Sequence, residues 1–242
     1  MPSTTALPHN PLILALDTSS SLGSVALARG ETILKARAFE ADRGHSQRLL
    51  PAIDAIFTDA QLQVSDVDLF AAVVGPGSFT GLRVSLACLR GLAGEKPCLG
   101  AVVTDVAAWA GRGRGPRILA ITDLFHGEVF ASVYESDGTL ISGREPGDLA
   151  SVMAALKDLL SEGAVAIGSA TLKHRADIES ASPGIIILDL NEGLAPHLAS
   201  LASARASEAT TCRAGDLLPF YLRDPLTRGL LNPQAKKSDL PV

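Results

Sequence analysis

At 242 residues and a net charge of −5, the chain has room for one large or two small domains, and it is too acidic to hold nucleic acid through a general basic surface. Apolar residues make up 47% and charged residues 19%, which excludes disorder over most of the length. Seven Phe, two Tyr and one Trp leave few rings for stacking single-stranded bases, so any RNA role is expected to run through a partner.

Residues 1–10 carry no Lys or Arg ahead of the apolar run and read as a disordered tail. That run, Leu12 to Leu16, stops at Asp17 and predicts a strand, neither a signal peptide nor a membrane span. Turn-forming Thr18-Ser-Ser-Ser21 follows, then strands at Ser24–Ala28 and Thr32–Phe39 turned at Gly30, which together make an antiparallel meander. His45–Ala60 changes to a helical period, with Leu49, Ile53, Ile56 and Phe57 on one side over an apolar arc of about 160°. Ser46 is the expected cap, and Pro51 is expected to delay or kink the regular part.

A buried strand at Phe70–Val74 runs into Gly75-Pro-Gly-Ser-Phe-Thr-Gly81, where Ser78 caps a helix from Phe79 to about Leu92. A strand at Cys98–Val103 and a short helix at Thr104–Ala110 lead to a glycine- and arginine-rich break at Gly111–Gly115, with the domain boundary between Val103 and Pro116. After the break the opening returns: Ile118-Leu-Ala-Ile121, Asp123 and Gly127-Glu-Val129 echo Ile13-Leu-Ala-Leu16, Asp17 and Gly23-Ser-Val25. Two similar half-domains are the simplest reading. A helix at Leu149–Leu160, strands at Val165–Ile167 and Ile185–Leu188, and a helix at Ala195–Ala206 complete the pattern, and the segment from Gln234 is expected to be loose.

The glycine loop invites an anion-binding reading, because backbone N–H groups at a helix start attract phosphate. Its chemistry is incomplete: Leu82 and Arg83 stand where a Walker A loop needs Lys and a hydroxyl, and the spacing G-x-G-x-x-x-G breaks the dinucleotide fingerprint. The other reading is a sharp strand-to-helix turn allowing close packing. Ser78 lacks the flanking glycines of a nucleophile elbow, which makes it a cap and a peptidase the weakest alternative. The five histidines never fall at i, i+4, so no helix carries a metal face. Cys88, Cys98 and Cys212 are far apart in sequence, without a C-x-x-C pair, and read as reduced thiols of a cytoplasmic protein.

Asp17 with Ser19, and Asp123, stand at strand ends where a cleft can form between the halves, as candidates for a nucleotide or phosphate site or as turn-stabilising residues. The second helix is apolar on two sides. Phe79, Leu82, Leu86 and Leu89 form one face, while Gly81, Val84, Ser85, Cys88 and Leu92 form a second, small or apolar one. One sheet covers only one of them. The expectation is a partner-binding surface built from His45, Leu49, Ile53, Ile56, Gly81, Val84, Ser85 and Cys88, the alternative being cover within the monomer.

Several segments together resemble one family: Ile13-Leu-Ala-Leu-Asp17-Thr-Ser, His45-Ser-Gln-Arg-Leu-Leu-Pro51, Gly75-Pro-Gly-Ser-Phe-Thr-Gly-Leu-Arg83, Gly127-Glu-Val-Phe130 and Pro219-Phe-Tyr-Leu-Arg223. They look like the TsaB (YeaZ) proteins of bacterial tRNA threonylcarbamoyladenosine synthesis. The resemblance implies an α/β, ASKHA (actin-like ATPase) fold of two tandem RNase-H-like domains, here residues 11–104 and 105–223, with a tail at 224–242. It also implies a non-catalytic subunit with no cofactor of its own, ATP and Mg being in play only in the complex. The implied partners are a TsaD-like paralogue that does the chemistry, a TsaE-like ATPase, a second copy of the chain when alone, and tRNA only through the complex. The helices at His45–Ala60 and Phe79–Leu92 are the implied TsaD-facing surface. A free-standing ATP-using enzyme is the rival reading.

Overall fold

Strand β1 (Leu12–Asp17) is buried at every position, and its alternation sends Ile13 and Ala15 to one face of the sheet and Leu12, Leu14 and Leu16 to the other. A strand apolar on both faces belongs in the middle of a sheet covered on both sides. The computed structural model places it there, and describes residues 7–41, 44–124, 127–206 and 211–222. The first six residues of the expected N-terminal tail, and Arg223 with everything after it, lie outside the described residues; Leu7 packs against the core.

β2 (Leu22–Arg29) and β3 (Thr32–Glu40) complete the meander beside β1, and β4 (Leu69–Gly75) and β5 (Cys98–Val102) join its other side in parallel, giving the order β3-β2-β1-β4-β5. The second sheet repeats this with β6 (Arg117–Asp123), β7 (Glu128–Glu135), β8 (Leu140–Asp148), β9 (Val165–Ile167) and β10 (Ile186–Ile187), in the order β8-β7-β6-β9-β10. Again two antiparallel pairs are followed by two parallel ones.

The helices repeat too. α1 (His45–Ala60), α2 (Phe79–Ala93) and α3 (Val103–Gly111) occupy the chain positions that α4 (Leu149–Leu160), α5 (Arg175–Ala181) and α6 (Ala195–Arg205) take up in the second half. The internal echo is thus a duplication of a whole three-helix, five-strand unit, the topology expected of two tandem RNase-H-like units.

Three apolar layers hold the molecule. α1 and α2 cover the outer face of the first sheet, where Leu14, Val25 and Phe70 meet Leu49, Ile53, Ile56, Leu86 and Leu89. α4 and α5 cover the outer face of the second, with Met153, Leu156 and Ile178 against Leu119, Ile121 and Val133. Between the sheets, α3 and α6 pack on inner faces where the small residues Ala15, Ala26, Ala28, Ala71 and Ala120 alternate with larger ones such as Ile13, Leu69 and Ile118. Small side chains let helices approach a sheet closely, and α3, rich in Val and Ala, fits that space.

Some local expectations are corrected. α1 is led by Gly44 with no side-chain cap, and Ser46 lies within its first turn. His45 does the anchoring, with Nε2 2.8 Å from the Ser20 carbonyl oxygen. Pro51 neither delays nor breaks the helix: it sits inside it with its ring exposed, and the helix runs on to a left-handed Gln61. β8 and α5 are elements to which the sequence reading gave no bounds. Finally α6, which chain position assigns to the second unit, packs on β1 and β2, with the Ala195 N–H donating to Ser24 Oγ at 2.9 Å.

Candidate partner-binding face and central cleft

The glycine loop between β4 and α2 resolves one of the open alternatives. The Ser78 N–H donates to the Ser19 carbonyl at 2.7 Å, the Gly81 N–H to Ser78 Oγ at 3.1 Å, and the Leu82 N–H to the Ser78 carbonyl at 2.9 Å. Thr18 Oγ1 donates back to the Gly81 carbonyl at 2.7 Å. Gly81 faces the Thr18 carbonyl, and Gly77 the Ser19 carbonyl, with no room for a Cβ at either position. With the N–H groups of Ser78, Gly81 and Leu82 engaged within the protein and two glycines pressed on carbonyls, the loop is a packing node that locks the β1–β2 turn to α2. Ser78 is the cap that was expected.

The face of α1 and α2 that reaches the surface is not the one expected. Leu49, Ile53 and Ile56 are sealed against the first sheet, Ser85 has no exposed surface, Gly81 is buried under Thr18, and His45 is tucked onto Ser20. Five of these are withdrawn from the surface and Ile53, 4% exposed, only floors the groove beside the end of α2, because the outer face of the first sheet takes up the apolar arcs of both helices. Val84 and Cys88 of the expected set are half-exposed.

Taking Arg83 as the origin at about 100° per residue, Ala87, Thr80, Gly91, Val84 and Cys88 spread over an outward arc of roughly 100°. The arc is uncharged, and exposed or half-exposed throughout. Arg83 and Arg90 bound it on one side. On α1 the neighbouring outward residues are Leu50, 56% exposed, Pro51 and Asp54. Leu50, Asp54 and Thr58 share a shallow groove with Leu92 at the end of α2.

α2 is braced at both ends by a segment the sequence reading left unassigned, residues 211–222. Arg90 donates to the carbonyls of Ala214 and Leu217, at 3.1 and 2.6 Å. The Phe220 N–H donates to the Val74 carbonyl at 2.8 Å. At the helix start the Arg83 guanidinium lies 3.8 Å from the Phe79 ring centre and its Nε donates to Tyr221 Oη at 3.0 Å. The apolar run after Gly215 was the available signal for this strap.

A cleft of about 300 Å³ opens between the halves, lined among others by Asp17, Ser19, Glu40, Thr122, Asp189 and Asn191. Asp17 is 1% exposed, and its Oδ1 accepts the Ser19 N–H at 2.9 Å, the turn-stabilising arrangement. Burial pushes its carboxyl above the usual value, while the hydrogen bonds from Ser19 and the charge of His45 pull the other way. Asp123 stands apart from the cleft wall. Its carboxylate pairs with Lys173 at 2.6 Å, and its N–H donates to Ser169 Oγ at 3.1 Å. The strand ends therefore match in topology but not in environment.

The wall carries three carboxylates and, among the described residues, no Lys, Arg or His. No cationic side chain of that described wall is available to neutralise a phosphate directly. Among the described residues no group of three His, Cys, Asp or Glu could hold a metal ion, and no helix is long and apolar enough to cross a membrane.

Comparison with known proteins agrees with this architecture. A family model described as TsaD, tRNA N6-adenosine threonylcarbamoyltransferase, matches residues 39–183. The tRNA threonylcarbamoyladenosine biosynthesis protein TsaB of Haemophilus influenzae is 31% identical over 233 residues, which is 90% of this chain and 96% of that one. The solved structure of YeaZ from Pseudomonas aeruginosa superposes with a TM-score of 0.69 at 25% identity, covering 88% of this chain and 100% of that one. Component A of the (R)-2-hydroxyglutaryl-CoA dehydratase of Acidaminococcus fermentans superposes with a TM-score of 0.53 at 13% identity, over 81% of this chain and 99% of that one, a likeness of fold alone. The duplicated α/β architecture is the ASKHA fold, and the chain belongs to the TsaB (YeaZ) family of tRNA threonylcarbamoyladenosine biosynthesis proteins.

Proposed function

We propose that the chain is a non-catalytic subunit that docks through the outward faces of α1 and α2 onto a TsaD-type paralogue and activates it in forming N6-threonylcarbamoyladenosine on tRNA. The observation that carries this reading is the uncharged outward arc Thr80-Val84-Ala87-Cys88-Gly91 on α2, continuous with Leu50 and the groove beside Leu92. Small side chains on an exposed helix favour close approach of another helix, and a match to the TsaD family model is what a paralogue of such a partner would give. The rest of the molecule supports a scaffold: Ser78 is engaged as a helix cap, and the central cleft is lined with carboxylates. In this reading a TsaE-type ATPase joins the assembly, tRNA is met through the partner, and the same face pairs two copies of the chain when TsaD is absent.

Light scattering of the protein alone and then mixed with its own TsaD tests the proposal. The expected result is a homodimer that gives way to a heterodimer, since both use one surface. A monomer that ignores TsaD would refute it.

A further inference from the structure

Cys98 and Cys212 are separated by more than a hundred residues in sequence and stand directly opposite each other in space. Cys98 opens β5, and Cys212 forms an isolated antiparallel bridge with it. The two residues exchange both backbone hydrogen bonds, the Cys98 N–H to the Cys212 carbonyl at 2.9 Å and the Cys212 N–H to the Cys98 carbonyl at 3.0 Å. Residues paired in this way have Cα atoms about 5.5 Å apart and side chains on the same face of the ladder, within the span that a disulfide bridges. Packing confirms the shared face, because Cys98 is part of the apolar layer under α1 and α2 and Cys212 packs against that same layer. Neither thiol is held elsewhere by a strong bond: Cys98 Sγ lies 3.5 Å from the Lys96 carbonyl and Cys212 Sγ 3.6 Å from the Cys98 carbonyl. The third cysteine, Cys88, is on α2.

We infer that Cys98 and Cys212 form a redox-sensitive clasp, a dithiol pair that a small-molecule disulfide oxidises to a covalent bond holding the strap 211–222 onto β5. The chemistry is two thiol–disulfide exchanges. Cys212, half-buried where Cys98 is fully enclosed, reacts first. Its sulfur, as the thiolate, attacks one sulfur of the small disulfide, forms a mixed disulfide and expels one small thiolate, which takes up a proton. The Cys98 sulfur then attacks the Cys212 sulfur, closes the Cys98–Cys212 bond and expels the second small thiol, which carries away the Cys98 proton. The protein pair loses two electrons and two protons, and the small disulfide is reduced to two thiols. Burial pushes Cys98 up to about 12 and raises Cys212 as well, which keeps the thiolate fraction small and the exchange slow at neutral pH. Because the strap also receives Arg90 of α2 on two of its carbonyls, the bond would fix the brace of that helix as well as the strap itself.

The test uses the full chain, reduced and then incubated at mildly alkaline pH with oxidised glutathione, alkylated, and mapped by peptide mass spectrometry without reduction. The expected product is a single internal link between the Cys98 and Cys212 peptides, with Cys88 alkylated. In the linked protein, hydrogen exchange at the Cys212 and Phe220 amides should slow about tenfold or more. Cys212→Ser, at a half-buried position that leaves the core thiol in place, should abolish the link, and Cys88→Ser should keep it. A stable glutathione adduct on Cys212 without the link, alkylation of both thiols after oxidation, or intermolecular links in its place would overturn the inference. So would a linked chain whose strap exchanges as fast as the reduced one.

Discussion

At Gly81 the constraint is steric and local. A methyl group there would collide with the Thr18 carbonyl, which is itself fixed because Thr18 Oγ1 is bonded to the Gly81 carbonyl. Gly81→Ala is therefore expected to destabilise the fold by about 2–3 kcal/mol, read as a lowered denaturant midpoint with an unchanged slope. Asp17 poses an electrostatic question instead. An unfolded chain titrates it near 3.8, and burial raises the folded value, so the folded state holds the proton more tightly. Its contribution is fully present below the unfolded value and is lost as pH rises through the folded one. Asp17→Asn stays neutral and can still accept the Ser19 N–H, so its stability relative to the parent should improve from pH 4 to pH 7. Denaturant titrations at the two pH values check this, and a variant that instead loses ground at pH 7 would show that the site favours the ionised form.

Among elements, α2 separates what the sequence could reveal from what it could not. Its limits and its Ser78 cap were readable from the strand, turn and apolar period around it. The direction of its interface was not, because small residues lie on both flanks of the apolar stripe, and periodicity does not say which flank the neighbouring chain covers. The loop closes over Gly81, and Ser85 is fully buried with its hydroxyl on the Leu82 carbonyl, leaving Val84 and Cys88 outside. A charge at Ser85 or Leu86 therefore tests folding, whereas Val84→Arg and Ala87→Glu test docking. The outward pair should keep the parental melting temperature to within about 2 °C and weaken TsaD binding at least tenfold, while Ser85→Arg should fail to fold. Circular dichroism melts with calorimetric titration against TsaD distinguish these, and parental affinity in both outward variants would remove α2 from the interface. β8 was foreshadowed by the echo, since Gly138 stands where Gly30 turns β2 into β3. α5 was hidden by its seven-residue length and single buried side chain, Ile178.

On the scale of the whole molecule the two units share one topology and differ in chemistry. Asp17 is enclosed and Asp123 is ion-paired, and the cleft between them gathers Glu40 and Asp189 without a cation in its described wall. The duplication was legible because both copies open with the same strand, Asp and turn. The asymmetry was not, because Lys173, the partner of Asp123, is fifty residues away and is brought there by the topology. A calorimetric titration of the isolated chain with MgATP is expected to show no binding below about 1 mM, since the described wall offers the phosphates no cationic side chain. Sub-millimolar binding abolished by Asp17→Ala would reinstate the ATP-using reading.

The return of α6 onto β1 and β2 has a consequence for the order in which the molecule can be made. Ala195 bonds to Ser24 across 171 residues of chain, and Leu198, Ala199 and Ala202 cover the inner face on which Ile13 and Ala15 lie. When the ribosome has released everything through α3, the first sheet has its outer helices but only part of its inner cover. The remainder is still untranslated. The early half must therefore wait, with alanines and an isoleucine open to water and to other nascent chains, until α6 emerges and threads between the sheets. Chain topology thus makes the two units, alike as they are, one late-closing cooperative structure.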